Sequence, residues 1–234
     1  MSMKRAAVIA GLLGLAVVLT GCGVGADTET DTVSYEVNDQ VAALRVAGDT
    51  GNVEVVESQR QGIKVTEVLT WRKSKPKTSH DVQGDTLDLK FECPSSFGLG
   101  AIATTCDVSY QVEVPKGLRV KASTDSGNLT VRGLSGELDA RTDSGEIEAE
   151  GLAVKQAVAK TDSGTVDLAF TGSPDKVKAG TDSGDISIGV PEGAYKVNAK
   201  TSSGDKNIGI DADPSAPRSI ELSSDTGSLE VHAP

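Results

Sequence analysis

The chain has 234 residues, 26 of them glycine, with aromatic side chains at 3% and a formal charge of −11. So many glycines with so few large rings exclude a thick globular core and fit a thin, turn-rich β-architecture. The excess of acid, 34 acidic against 23 basic residues, argues against nucleic acid as a partner.

The first residues read as an export signal: Lys4 and Arg5, the apolar run Ala6 to Leu19, then Leu19-Thr20-Gly21-Cys22. The run is shorter than the roughly 20 residues a spanning helix needs. Its end resembles the bacterial lipobox, which implies cleavage before Cys22 and a thioether-linked diacylglycerol on that residue. An ordinary secretory leader followed by a chance cysteine is the alternative. Each buried methylene contributes about 0.8 kcal/mol, so two or more acyl chains anchor stably where one is marginal. Residues 1–21 are thus expected to be a lipoprotein signal peptide and 22–32 a polar tether. The protein is expected outside the cytoplasm, held on the bacterial cell membrane, with the membrane itself as its first partner.

Residues 33–118 read as an N-terminal β cap. Leu44, Val46, Val53 and Val55 flank a turn ending at Gly51. Ile63 to Trp71 alternates apolar and polar residues as a strand does, Gln83-Gly84-Asp85 is a turn, and Leu87, Leu89 and Phe91 alternate again. A last strand holds Val108, Tyr110, Val112 and Val114 and ends at Pro115. A stack of strands needs such a cap, because an open end exposes unpaired edges and core. Arg72, Lys73, Lys75 and Lys77 make a basic tip, either a solvated hairpin end or a contact for anionic wall polymer or lipid headgroups.

With Cys22 acylated, Cys93 and Cys106 remain, and an oxidising compartment favours a disulfide between them. The entropy of closing such a loop corresponds to about 3 kcal/mol. Two free thiols or a metal pair are the alternatives, the latter without the histidine that would make it a good zinc site. The stapled loop carries Phe97, Leu99 and Ile102, an apolar patch of the kind that marks a contact site. The competing reading folds those side chains back as a plug on the end of the stack.

From residue 119 to 234 the chain is one turn repeated. Thr-Asp-Ser-Gly occurs at 124–127, 142–145, 161–164 and 181–184, with near-copies ending at Gly204 and Gly227. Seven residues before these glycines stand Val120, Leu138, Ala157, Val177, Val197 and Ile220, and five before stand Ala122, Ala140, Ala159, Ala179, Ala199 and Leu222. Two after come Leu129, Ile147, Val166, Ile186, Lys206 and Leu229, so Lys206 alone breaks the apolar pattern. Period-two alternation on both sides of a tight turn means two strands per repeat, each with one buried face.

Turns recurring about every 20 residues mark a solenoid. A right-handed parallel β-solenoid explains why the turns share their chemistry, since equivalent turns stack as a ladder. An antiparallel meander or sandwich is the alternative, because strand, tight turn, strand also describes a hairpin. The remaining connections differ in length and composition, as recognition loops or unselected surface do.

Asp125, Asp143, Asp162 and Asp182 are expected to form one column. Calcium wants six to eight oxygens, and neighbouring carboxylates about 5 Å apart in water repel by only about 0.8 kcal/mol. A hydrogen bond from each turn's own backbone N–H is expected to offset that repulsion without an ion. No residue is assigned a catalytic or metal-binding role and no cofactor is expected: His80 and His232 lie in no nucleophile motif, and equivalent carboxylates lack the unequal environments that separate acid from base.

The lead-in Val112-Glu-Val-Pro-Lys-Gly-Leu118, followed by Asp-Ser-Gly turns and alternating strands, resembles the bacterial putative adhesin family, a domain of unknown function in exported and membrane-anchored proteins. The resemblance spans residues 33 to 234 and implies a right-handed β-solenoid without catalytic residues. The function expected is that of a surface-anchored, non-catalytic binding, adhesin-like or scaffold module, with an envelope protein or wall polymer as partner. An envelope polysaccharide-acting enzyme and a calcium-stabilised spacer are the alternatives.

Overall fold

A computed structural model describes residues 28–94 and 105–233, so Cys22, Phe97, Leu99 and Ile102 lie outside the described residues. Among the described residues there is no helix; nineteen strands form two sheets. The N-terminal strands are β1 (Glu29–Val37), β2 (Ala43–Ala47), β3 (Val53–Glu57), β4 (Ile63–Trp71), β5 (Lys77–Gln83), β6 (Thr86–Glu92) and β7 (Cys106–Val114). The repeat strands come in pairs: β8 (Arg119–Thr124) with β9 (Leu129–Arg132), β10 (Leu138–Thr142) with β11 (Ile147–Leu152), and β12 (Gln156–Thr161) with β13 (Val166–Phe170). Then follow β14 (Lys176–Ser183) with β15 (Ile186–Gly189), β16 (Lys196–Ser203) with β17 (Lys206–Ile208), and β18 (Ser219–Thr226) with β19 (Leu229–His232).

Each repeat gives its first strand to one sheet and its second to the other. The first wall runs β16-β18-β14-β12-β10-β8-β2-β6-β5 and the second β1-β4-β7-β3-β9-β11-β13-β15-β19-β17. All repeat strands pair in parallel, which a stacked coil requires and an antiparallel meander does not allow. The register puts like on like, as the spacing predicts: Leu44, Val120, Leu138, Ala157, Val177 and Ile220 stand opposite one another in order. The same holds across the core for Val53, Leu129, Ile147, Val166, Ile186 and Leu229. These side chains are buried between the walls, and alanine at alternate positions keeps the interior thin.

The stacking order departs from the chain order at both ends. The last repeat in sequence, β18 and β19, is inserted between β14/β15 and β16/β17. The rung carrying Lys206 is thereby moved to the end of the stack, where Val197, Ala199 and Ile208 are only half-buried. A polar residue at an inward position is tolerated there because one side of the rung has no neighbour to desolvate it. At the other end β6 and β7 form a further rung beyond β2/β3, with Leu87 against Leu44 and Tyr110 against Val53. Its turn is replaced by the loop between Cys93 and Cys106, which form a disulfide.

Antiparallel strands finish the N-terminal end: β4 pairs with β7, β1 with β4, and the β5–β6 hairpin, turning at Gly84 with φ +65°, closes the first wall. The strand β1 starts at Glu29, so ordered structure takes up the last four residues of the stretch read as tether.

Candidate functional site

The turn edge is the most regular feature of the molecule, and its polar groups are spent on stacking. The main-chain carbonyl of Asp125 accepts from the N–H groups of Asp143 and Ser144, that of Asp143 from Asp162 and Ser163, and that of Asp162 from Asp182 and Ser183. The four aspartates do form one column. Each turn's threonine is buried and donates its hydroxyl to the glycine carbonyl one rung away: Thr142 to Gly127 at 3.1 Å, Thr161 to Gly145 at 3.0 Å and Thr181 to Gly164 at 3.1 Å. Ser224 does the same to Gly184 at 3.1 Å and Thr201 to Gly227 at 3.0 Å. Glycine is required by contact: a Cβ on Gly145 would stand 1.9 Å from the carbonyl oxygen of Gly127.

The aspartate carboxylates do not make the turn bonds expected of them. Among the described residues none of Asp125, Asp143, Asp162 and Asp182 uses its side chain as an acceptor, and all four are exposed. The side-chain acceptors sit one residue past the glycine instead: Asn52 Oδ1 takes the N–H of Asn128 at 2.9 Å, Asn128 Oδ1 that of Glu146 at 3.0 Å, and Asp185 Oδ1 that of Ser228 at 2.7 Å. Among the described residues no three histidine, cysteine or acidic side chains converge into a metal-binding group.

The opposite edge is laddered too. Ala153 N–H donates to Leu134, Thr171 and Gly172 to Leu152, and Asp175 to Lys155. Leu134, Leu152, Val154, Phe170, Val190 and Tyr195 are buried along it. These connections close the core rather than hang from it, and the apolar residues within their irregular lengths are the signal that identifies them.

The stapled loop leaves from the turn edge. Cys93 follows β6 and Cys106 opens β7, so the bridge itself lies one rung beyond the Gly48–Asn52 turn, while Phe97, Leu99 and Ile102 lie outside the described residues. The basic tip is partly consumed by local contacts. Lys75 pairs with Asp31 and lies 5.2 Å from the Trp71 ring centroid, and Arg72 N–H donates to the carbonyl of Thr105 at 2.8 Å.

A buried polar cluster at this end shows in the sequence only as one break in the alternation of β4. Glu67 faces inward from β4, 1% exposed, where the alternation calls for an apolar residue. Tyr35 donates its hydroxyl to Glu67 Oε1 at 2.7 Å and stacks on His80, ring centroids 4.5 Å apart. Glu67 Oε2 and the hydroxyl of Tyr110, directly opposite on β7, have no hydrogen-bond partner among the described residues. Burial, with the nearby Glu67 carboxylate second, pushes both tyrosine hydroxyls well above the usual phenol range.

The outer faces of the two walls carry opposite charge. The first presents Arg45, Lys121, Arg141, Lys160, Lys176, Lys178, Lys196 and Lys200 at outward positions, with Asp88, Asp139 and Glu221 among them paired to Arg45, Arg141 and Lys178. The second presents Glu54, Glu113, Glu148, Glu150, Asp167 and Glu230 against Lys64 and Arg132.

Against this geometry, the Toastrack DUF4097 family model matches residues 116–233, half of the chain. The chain belongs to the Toastrack DUF4097 family. Among solved structures it is similar to a putative cell adhesion protein from Clostridium sporogenes, at 14% identity and TM-score 0.53, covering 88% of this chain and 100% of that one. It is also similar to a putative adhesin from Bacteroides fragilis, at 14% identity and TM-score 0.49, covering 86% of this chain and 96% of the other. At such identity the first likeness establishes the shared fold. No curated protein matches the chain.

Proposed function

We propose that this Toastrack protein is an envelope lipoprotein: a right-handed β-solenoid tethered through acyl chains on Cys22 that serves as a rigid, non-catalytic binding or scaffold module. The observation that carries this reading is the use of the repeated motif. The buried hydroxyls of Thr142, Thr161 and Thr181 and the main-chain carbonyls of Asp125, Asp143 and Asp162 are engaged with the neighbouring rung, which makes a stiff support and, among the described residues, leaves no converging set of reactive groups there. Right-handed crossovers are the hand that twisted parallel strands favour. Structural neighbours described as adhesion proteins support a binding role. The lipobox supports the address.

On this reading residues 1–21 are removed, the N-terminal strands cap the stack, and Phe97, Leu99 and Ile102 on the stapled loop contact an envelope protein or wall polymer. Crosslinking on intact cells tests it. Wild type is expected to capture a partner that Phe97→Ser/Leu99→Ser/Ile102→Ser loses, and Cys22→Ser is expected to move the protein from the membrane to the medium. An unchanged set of captured partners, or membrane retention of Cys22→Ser, would overturn the corresponding half of the proposal.

A further inference from the structure

The charge separation of the two walls is not required by the fold. Four lysines, Lys160, Lys176, Lys196 and Lys200, project from the outer face of the first wall on β12, β14 and β16, all exposed. Among the described residues none of them forms an ion pair or side-chain hydrogen bond. A fifth, Lys178, pairs with Glu221 at 2.8 Å; the other acidic side chains at outward positions of these strands, Asp182 and Asp225, stand at the turn ends of β14 and β18. The lysines reach beyond that pair: the Glu221 carboxyl is held below its ordinary range first by the hydrogen bond from Lys178, with Lys176 and Lys196 adding to the effect.

The register arranges these charges in two dimensions. Lys160, Gly180, Ser223 and Lys200 form one column along the turn side, and Lys176, Ser219 and Lys196 a second, four residues away on the far side. Four residues of strand and three strand spacings make a patch about 13 by 14 Å. Because Gly180 and Ser223 are small, the first column holds a hollow of about 210 Å³ lined by Lys160, Lys178 and Lys200, together with Asn198, Ser223 and Glu221, whose carboxylate is paired with Lys178. Lysine on the outermost strand β16 blunts an open sheet edge, which accounts for Lys196 and Lys200. It does not account for Lys160 and Lys176, which stand on strands paired on both sides.

The acids of the second wall do not cancel this patch, and the exposed acids nearest to it, Asp162, Asp182 and Asp225, lie along its turn-side border. Packed sheets lie about 10 Å apart and their outer side chains point away from each other, whereas charges in physiological salt are screened over about 8 Å. A surface lying against the first wall therefore meets lysines and not the acids of the second.

We propose that the outer face of the first wall, centred on Lys160, Lys176, Lys196 and Lys200, docks on an anionic phospholipid surface, with a headgroup phosphate seated in the hollow between Lys160 and Lys200. A planar grid of point charges without aromatic side chains fits a field of headgroups. A nucleic acid or sugar chain would call for a stacking platform, and a single linear polyanion for one continuous column. Docking of this wall is independent of the Cys22 tether and of the stapled loop.

The test uses the full chain with Cys22→Ser, so that no acyl chain contributes. It is titrated with vesicles of pure phosphatidylcholine and with vesicles in which about a third of the lipid is phosphatidylglycerol. The N-terminal segment, with Lys4 and Arg5, is the same in every variant, so the readout is the part of the preference for anionic vesicles that depends on the wall lysines. That preference is expected to be on the order of tenfold or more, to fall by up to about fivefold for each lysine removed, and to vanish in about 0.5 M salt. Lys160→Gln/Lys176→Gln/Lys196→Gln/Lys200→Gln is expected to abolish it. Lys160→Gln/Lys176→Gln, which leaves the end strand untouched, is expected to weaken it, and Glu148→Gln/Asp167→Asn on the other wall to retain it. Equal binding to the two lipids, or a folded lysine variant that binds as wild type, overturns the proposal. So does lysine-dependent binding to soluble poly(glycerol phosphate) without binding to vesicles, which would assign the face to a linear wall polymer.

Discussion

The turn edge and the outer walls are built by the same repeats, yet the edge is uniform and the walls are not. At the edge two members of the motif have one task each, set by the rung before: threonine bonds a glycine carbonyl, and glycine leaves room for that carbonyl. On the walls only the inward residue is dictated, and the outward positions carry mostly bases on one side and mostly acids on the other. Regularity in a stacked protein therefore marks where the chain contacts itself. Recognition is to be sought where the repeat stops constraining the residue.

Substitutions sharpen this contrast. Gly145→Ala places a Cβ 1.9 Å from the Gly127 carbonyl oxygen and is expected to cost about 3 kcal/mol as overpacking. For a chain of this size that is a melting temperature lower by roughly 6–12 °C, measured by calorimetry. Reducing the Cys93–Cys106 bridge, or replacing both cysteines by serine, is expected to cost about 3 kcal/mol or less, with loss of structure confined to the N-terminal end in hydrogen exchange. Tyr35→Phe withdraws the single hydrogen bond made to the buried Glu67 carboxylate and is expected to cost about 1–3 kcal/mol. Thr142→Val, which removes one rung-to-rung bond while keeping the shape, is expected to cost about 1 kcal/mol in denaturant titrations.

The smallest of these effects lies on the outer face of the second wall. Hydrogen bonds from Lys64 and then Arg60 hold the Glu113 carboxyl below its ordinary range. A carboxyl lowered in the folded state stabilises above its unfolded pKa of about 4.3, and that contribution is lost as pH falls through the folded value. Because the group is half-exposed, the effect is less than about 1 kcal/mol. Glu113→Gln should melt slightly below wild type at neutral pH and together with it in strong acid.

Most of the fold was legible because burial in a two-walled stack imposes period two on every strand, and the spacing around each glycine fixed the register. Two features were hidden. The inserted position of β18 and β19 leaves no mark in the alternation, since every rung offers the same apolar columns to its neighbours; only Lys206 and Ser202 hint that their rung belongs at an end. The rung made by β6 and β7 lacks the turn motif, so its equivalence to the repeats shows only in its pairing with β2 and β3. The function of the turn was half legible: threonine and glycine carry the stacking, whereas the aspartate side chain, the most suggestive member of the motif, bonds to nothing among the described residues. Glu67 left one acid among the inward positions of β4, a break that does not by itself reveal the tyrosines gathered around it, and the lysine face was hidden because its members are scattered along the chain and gathered only by the register.

The claim that the repeated turn is a stacking device is tested most directly by thermal melting of Asp125→Asn/Asp143→Asn/Asp162→Asn/Asp182→Asn beside wild type, each with calcium and with chelator. The account predicts a melting temperature for the variant equal to that of wild type within about 3 °C, or slightly higher as the column loses its repulsion, and no response of either protein to calcium. A wild type stabilised by calcium, with that stabilisation abolished in the variant, would contradict it.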